Sequence, residues 1–158
     1  MSGKTVSHSH TSLSILMGPA DSNSLGNVHG GVIMKKVDEA GALAAMRHAQ
    51  NPVVTVAIDS MTFLRPIHIG MLLICNAELT YVGNTSIEAR IEVIAENPIT
   101  GEHWVSNTAY AVYVALDKEG RPTRVPPLIL ETPLQQKRAL QAKVRQDFRK
   151  SQKRDETL

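Results

Sequence analysis

A single cysteine in 158 residues excludes an intrachain disulfide framework, and Cys75 alone leaves too few thiols for a structural zinc site. A reducing, cytoplasmic location is the expectation that follows. No apolar run approaches the roughly 20 residues that a membrane helix needs, so no membrane partner is expected. The first twelve residues are rich in Ser, His and Thr without an apolar stretch, unlike a secretory signal. Gly-x-Ser-x-Gly, the Walker loop and the dinucleotide-binding glycine fingerprint are all absent. The six histidines show no metal-ligand spacing, so neither a metal nor a resident cofactor is predicted. His8 and His10 fall in a start expected to be disordered. His48, His68 and His103 lie near element ends and are expected in solvent, and Cys75 is expected to be a small buried hydrophobe.

What remains is a chain of 42% hydrophobic and 20% charged residues, the composition of one soluble globular domain. The net charge of +2 is unevenly placed. Residues 135–158 hold eight Lys or Arg against three Asp or Glu, whereas residues 1–134 hold nine against twelve. The pI of 8.8 therefore belongs to a basic C-terminal segment, residues 131–158. That segment reads either as a solvated helix end or as a contact for a phosphorylated partner. A nucleic-acid function for the domain is not expected.

Residues 1–11 read as a disordered start, although a weak alternation over 7–17 suggests a first strand. Residues 18–27 form a loop of turn-forming Gly, Pro, Asp and Asn. Residues 31–48 read as one helix of roughly 27 Å, entered through Gly30-Gly31 and closed by Asn51-Pro52. Its apolar stripe is Ile33, Val37, Ala40 and Ala44. Another face sets Asp38 among Gly31, Met34, Gly41, Ala42 and Ala45. Period-two stretches follow over 53–61, 71–82, 85–96 and 103–116, with Gly83-Asn84 and residues 97–101 as turns. Only Ile94 interrupts the alternation of its strand. Residues 132–154 favour a last helix. Short connections favour antiparallel pairing, which predicts an α+β fold: a five-stranded antiparallel sheet wrapped around one long central helix. One helix cannot cover both faces and the edges, so self-association is expected.

Three constellations and one weaker turn can carry chemistry. Gly26-Asn27-Val28-His29-Gly30-Gly31 precedes the helix. Unpaired N–H groups and partial positive charge at a helix start suit a carbonyl oxygen that becomes negative; the other reading is an ordinary turn with Asn27 as cap. Asp38 lies two turns in. Removed from water among small neighbours, its carboxylate would suit a general base; the other reading is a solvated acid paired with Lys35. Met61-Thr62-Phe63-Leu64-Arg65-Pro66 presents Arg65 at a turn, able to meet a phosphate or to stay in water. The Gly83-Asn84-Thr85-Ser86 turn offers two hydroxyls for a phosphate or forms a plain hairpin.

These stretches, with Pro19-Ala20-Asp21-Ser22-Asn23, Val37-Asp38-Glu39-Ala40-Gly41-Ala42, Glu96-Asn97 and Val125-Pro126-Pro127, resemble in order and spacing the hotdog-fold acyl-CoA thioesterases, in the cytosolic acyl-CoA hydrolase branch. The resemblance spans about residues 12–130 and is to the single-domain, bacterial type. It implies a hotdog domain that hydrolyses acyl-CoA to a free acid and CoA. It also implies that Asn27 and Asp38 are the catalytic pair, completed across a dimer, with a trimer of dimers as the assembly. Joined to the residue reading, it sets the thioester oxygen at His29, Gly30 and Gly31. Asp38 then activates water or attacks as a nucleophile, and Arg65, Thr85 and Ser86 hold CoA phosphates. Two rival activities follow from the same fold: an acyl-CoA hydratase or dehydratase, and a non-catalytic acyl-CoA sensor.

Overall fold

Alternation puts Ile87, Ala89, Ile91, Val93 and Ala95 on one side of a strand, and all five are fully buried. Ile33, Val37, Ala40 and Ala44, the stripe at helical spacing, are buried equally well. The two apolar surfaces pack together, and the rest of the fold is arranged around that contact. A computed structural model describes residues 1–156. In chain order the elements are β1 (Lys4–Thr5), α1 (Val6–Ser9), β2 (Thr11–Leu16), a 3-10 turn (Pro19–Asp21), α2 (Gly30–Ala49), β3 (Val53–Ile58), β4 (Leu72–Val82), β5 (Ser86–Glu96), β6 (His103–Ala115), β7 (Leu128–Ile129) and α3 (Pro133–Glu156). Residues 157 and 158, the end of the predicted basic segment, lie outside the described residues.

The main sheet has the order β2-β4-β5-β6-β3 and is antiparallel throughout. It curls around α2, as predicted. Leu73, Leu79 and Tyr113 complete the shared core, where full burial of each aliphatic side chain contributes about 1.5–3 kcal/mol. The irregularity at Ile94 has a structural counterpart: the β5–β6 register shifts between Val93 and Ile94. Helix α2 ends at Gln50, which adopts left-handed angles (φ 52°) and donates its N–H to the Met46 carbonyl at 2.7 Å; Pro52 then prevents a further turn.

Two expectations need correction. The start of the chain is folded rather than disordered. β1 pairs in parallel with β7, Val6 and Ser9 are buried, and Ser7 is fastened to the Glu131 carboxylate through its N–H (3.0 Å) and hydroxyl (2.9 Å). A mostly polar stretch is held by one apolar anchor and by a returning segment more than a hundred residues away. His48 is also fully buried, because that segment covers the end of α2. Its Nε2 lies 2.7 Å from the Pro126 carbonyl, which fixes Nε2 as the protonated nitrogen, and Nδ1 is buried without a partner.

Burial, the largest cause, holds His48 below the ordinary histidine range, with the charges of Lys4 and His8 adding to it against the Pro126 hydrogen bond. The unfolded chain therefore takes up this proton first. Stability from this group is present above the unfolded value of 6.5 and is lost as pH falls below it. Denaturant midpoints measured from pH 7 to 5 should fall more steeply for the wild type than for His48→Gln. Parallel curves would show that His48 carries none of this dependence.

Candidate active site

Residues 18–29 close a tight loop ahead of α2. Asn23 Oδ1 accepts the N–H groups of Leu25 (2.9 Å) and Asn27 (3.1 Å), an Asx turn. Gly26 makes this possible by adopting φ +80°. With its oxygen occupied twice, Asn23 has its NH2 left as donor. The cap of α2 is His29 rather than Asn27: its Nδ1 accepts the Gly31 N–H at 2.9 Å. One of the two glycine amides predicted to meet a carbonyl oxygen is therefore already engaged. Asn27 Oδ1 accepts from His68 Nδ1 at 3.0 Å, so the exposed His68 is tied to the loop. A cavity of about 320 Å³ opens here, lined by Asn23, Asn27, Gly30, Ile33, Phe63 and Arg65 among others. Arg65 lies across the Trp104 ring at 3.7 Å and pairs with Glu102 at 3.4 Å.

Asp38 is eight residues further along α2, roughly 12 Å from Gly30 at the ordinary helical rise. Its side chain is half-buried and turned toward the sheet. Oδ1 accepts the Thr55 hydroxyl at 2.8 Å and the Tyr113 hydroxyl at 3.2 Å. Among the described residues no partner reaches Oδ2, and no ion pair joins Asp38 to Lys35; the neighbouring pair is Lys36 with Glu39, at 3.1 Å. The pairing of Asp38 with Lys35 is thereby set aside. Thr55 sits on β3, the edge strand, where Val54 and Val56 are 43% and 53% exposed. Glycine loop and acid are thus two half-sites, separated within one protomer.

Thr85 and Ser86 sit on the acid's side, not on the side of Arg65. Ile87 and Thr55 both pair with Tyr113 on β6, which brings the β4–β5 turn to the same end of the sheet as Asp38. Thr85, Ser86, Arg124 and Lys150 line a cavity of about 590 Å³ there. The three residues predicted to hold CoA phosphates therefore do not meet in one protomer. Cys75 is buried, and burial, with the Glu39 charge adding and Lys36 opposing, pushes its thiol up to about 12; it stays protonated and serves packing. Among the described residues no cluster of three or more His, Cys, Asp or Glu could hold a metal.

Sequence reasoning missed Thr55, Tyr113 and the separate engagement of Asn23. For Thr55 a signal existed: strand alternation turns it toward the same face as Val53. Nothing in the spacing connects Tyr113 with an acid 75 residues earlier.

The family model of the thioesterase superfamily matches residues 25–102. The acyl-CoA thioester hydrolase YciA of Escherichia coli is 40% identical over 112 residues, covering 68% of this chain and 84% of YciA. The chain belongs to the acyl-CoA hydrolases of the thioesterase superfamily. Within that family, the cytosolic acyl coenzyme A thioester hydrolase of Rattus norvegicus is 36% identical over 143 residues. The match takes in 89% of this chain but spans only 38% of the rat protein's length. Among solved structures, the Staphylococcus aureus acyl-CoA hydrolase in complex with butyryl coenzyme A, coenzyme A and coenzyme A disulfide superposes with a TM-score of 0.88 at 31% identity, covering 98% of this chain and 94% of that one. Alanine variants of that enzyme have also been solved at an asparagine, at an aspartate fifteen residues later and at a threonine seventeen residues beyond the aspartate. A hexameric acyl-CoA thioesterase superposes with a TM-score of 0.90 at 33% identity, covering 96% of this chain and 97% of that one. No helix among the described residues is long and apolar enough to cross a membrane.

Proposed function

We propose that the protein hydrolyses acyl-CoA to a carboxylic acid and CoA, in the cytoplasm, as a dimer assembled into a trimer of dimers. The observation that carries this reading is Asp38: a half-buried carboxylate with one oxygen fixed by two hydroxyls and the other open. Water attacks the thioester carbon as Asp38 Oδ2 takes its proton. The C–S bond then breaks, and the leaving thiolate takes the proton from Asp38, which restores the carboxylate. Water is the only co-reactant the balance needs.

The open edge of β3 supports the dimer. An exposed edge with apolar side chains is a template for a second copy, and pairing two β3 edges would bring Asp38 and Thr55 toward the partner's glycine loop. The hexameric relative supports the larger assembly. The thioester oxygen would meet Gly30 and an asparagine NH2 from the opposite protomer. Asn23 suits that task better than Asn27. Its oxygen is pinned by backbone amides and its NH2 is the free end, and Asn23, Asp38 and Thr55 repeat the spacing of the three positions varied in the S. aureus enzyme. On the acid's side, Thr85 and Ser86 with Arg124 and Lys150 would hold the CoA phosphates, while Arg65 borders the loop cavity instead.

The test is a panel of acyl-CoA chain lengths with detection of free thiol. Hydrolysis releases one thiol per acyl-CoA consumed. Substrate loss without thiol would indicate a hydratase or dehydratase, and tight binding without turnover a sensor. Asn23→Ala should lower kcat by about 10²–10³, the usual loss for one donor to a developing oxyanion, and Asn27→Ala by under about tenfold on the same scale. The reverse order would return the donor role to Asn27.

A further inference from the structure

Tyr113 is fully buried near the C-terminal end of β6, and its hydroxyl ends beside α2, where it lies 3.0 Å from the Asp38 carbonyl and 3.2 Å from Asp38 Oδ1. A buried phenol needs one partner, and the carbonyl alone would supply it. Here one proton is shared between the backbone of the acid and its carboxylate. Together with Thr55 Oγ1 at 2.8 Å, two donors from two strands converge on Oδ1, which fixes the side-chain rotamer and directs Oδ2 away from the sheet.

That approach depends on a gap in the helix. Gly41 lies on the next turn after Asp38 and is itself buried. A Cβ there would stand 2.4 Å from the Tyr113 hydroxyl, 3.1 Å from a ring carbon of Tyr113 and 3.1 Å from Ile91 Cδ1. The first of these is shorter than any real Cβ contact. Glycine destabilises a helix interior relative to alanine, and its φ here is ordinary, so no backbone requirement accounts for it. What the missing methyl provides is the slot through which the hydroxyl reaches the acid.

We infer that Tyr113 and Gly41 act as a positioning pair that orients the Asp38 carboxylate for proton abstraction. This rests on Asp38 being the base. Burial, followed by the Asp38 charge, holds the Tyr113 hydroxyl well above the usual tyrosine range, so the phenol stays a neutral donor throughout turnover. Neither residue touches substrate; both act through the acid.

The experiment is a double-mutant cycle in the full chain, with kcat, KM and melting temperature measured for Tyr113→Phe, Gly41→Ala and the two combined. Tyr113→Phe keeps the ring and its packing. It should lower kcat about tenfold, in line with losing one hydrogen bond to a charged group, with KM within about twofold. Gly41→Ala displaces the hydroxyl and should lower kcat by a comparable factor. In the Tyr113→Phe background it should lower kcat further by less than about twofold, because the group it displaces is already gone. A core-packing role alone would instead lower the melting temperature and leave kcat of the folded protein unchanged. Wild-type kcat in Tyr113→Phe overturns the inference, as do losses that simply multiply in the double variant. An inactive Asp38→Asn beside a fully active Tyr113→Phe removes only the positioning role; an active Asp38→Asn removes the reading beneath it.

Discussion

Asp38→Asn should lower kcat by about 10²–10⁴, the usual contribution of a positioned general base, while KM and the melting temperature stay near wild type. The replacement is isosteric. An asparagine carbonyl oxygen can still accept from Thr55 and Tyr113, as Oδ1 does now, so the local packing survives. What changes is the other end: an NH2 stands where Oδ2 was, and it cannot take a proton from water. Because substrate binding uses other groups, a transition-state effect should fall on kcat rather than on KM. The measurement is thiol release at saturating acyl-CoA, with circular dichroism confirming the fold. Wild-type turnover in a folded Asp38→Asn would falsify the assignment of the base.

The face of α2 that carries Asp38 was legible because the sequence surrounds it with small residues, and Gly41 among them proved to have a specific use. The groups that hold the acid were not legible. Thr55 and Tyr113 reach it from strands seventeen and seventy-five residues away, and periodicity gives the face of a strand but not its neighbour across a helix. The loop misled in a different way. Asn23 and Asn27 are both polar turn residues four apart, and only the Asx turn shows which amide oxygen is occupied and which NH2 is left. Grouping Arg65 with Thr85 and Ser86 followed from shared chemistry, since each can meet a phosphate; the register of β5 and β6 sets them at different ends of the molecule. The place of His48 near a helix end carries no information about a segment returning to cover it.

The same limit governs the outer face of the sheet. Glu88 alternates with buried Ile87 and Ala89 on β5, so it lies on the side facing away from α2, which would ordinarily be in water. Instead Glu88 is 2% exposed, because α3 folds back across it. The basic segment is therefore no free tail in its helical part. Arg138 pairs with Glu78, and Arg145 lies over the Tyr110 ring at 3.7 Å. Arg149 reaches both Glu88 (3.0 Å) and Asp59 (3.1 Å). An amphipathic helix would normally turn its apolar side inward; here three arginines face the sheet, while Leu140, Val144 and Phe148 are 73%, 69% and 61% exposed.

Glu88→Gln should therefore destabilise the protein by about 3 kcal/mol, the lower end of the range for breaking a buried ion pair. Its carboxylate accepts four hydrogen bonds: Thr80 Oγ1 and Arg145 Nη2 at Oε1, both 2.7 Å, and Arg145 Nε (3.2 Å) and Arg149 Nη2 (3.0 Å) at Oε2. Glutamine keeps the volume and one acceptor, but leaves two guanidinium groups side by side with only Asp59 to balance them. The two arginine side chains are 23% and 21% exposed, so water relieves part of their repulsion, which is why the low end applies. Because α3 meets the sheet mainly through these charges, the loss should be local. Amide hydrogen exchange should rise across 133–156 well before it rises in β4 and β5. Replacing the buried centre of the cluster, with Glu88→Met, Arg145→Leu and Arg149→Met, should recover part of the stability, since an apolar contact of similar volume has no buried charge to desolvate and the Asp59 it leaves without Arg149 is 29% exposed to water. If Glu88→Gln melts like the wild type with α3 still protected, the helix is held by something other than this carboxylate.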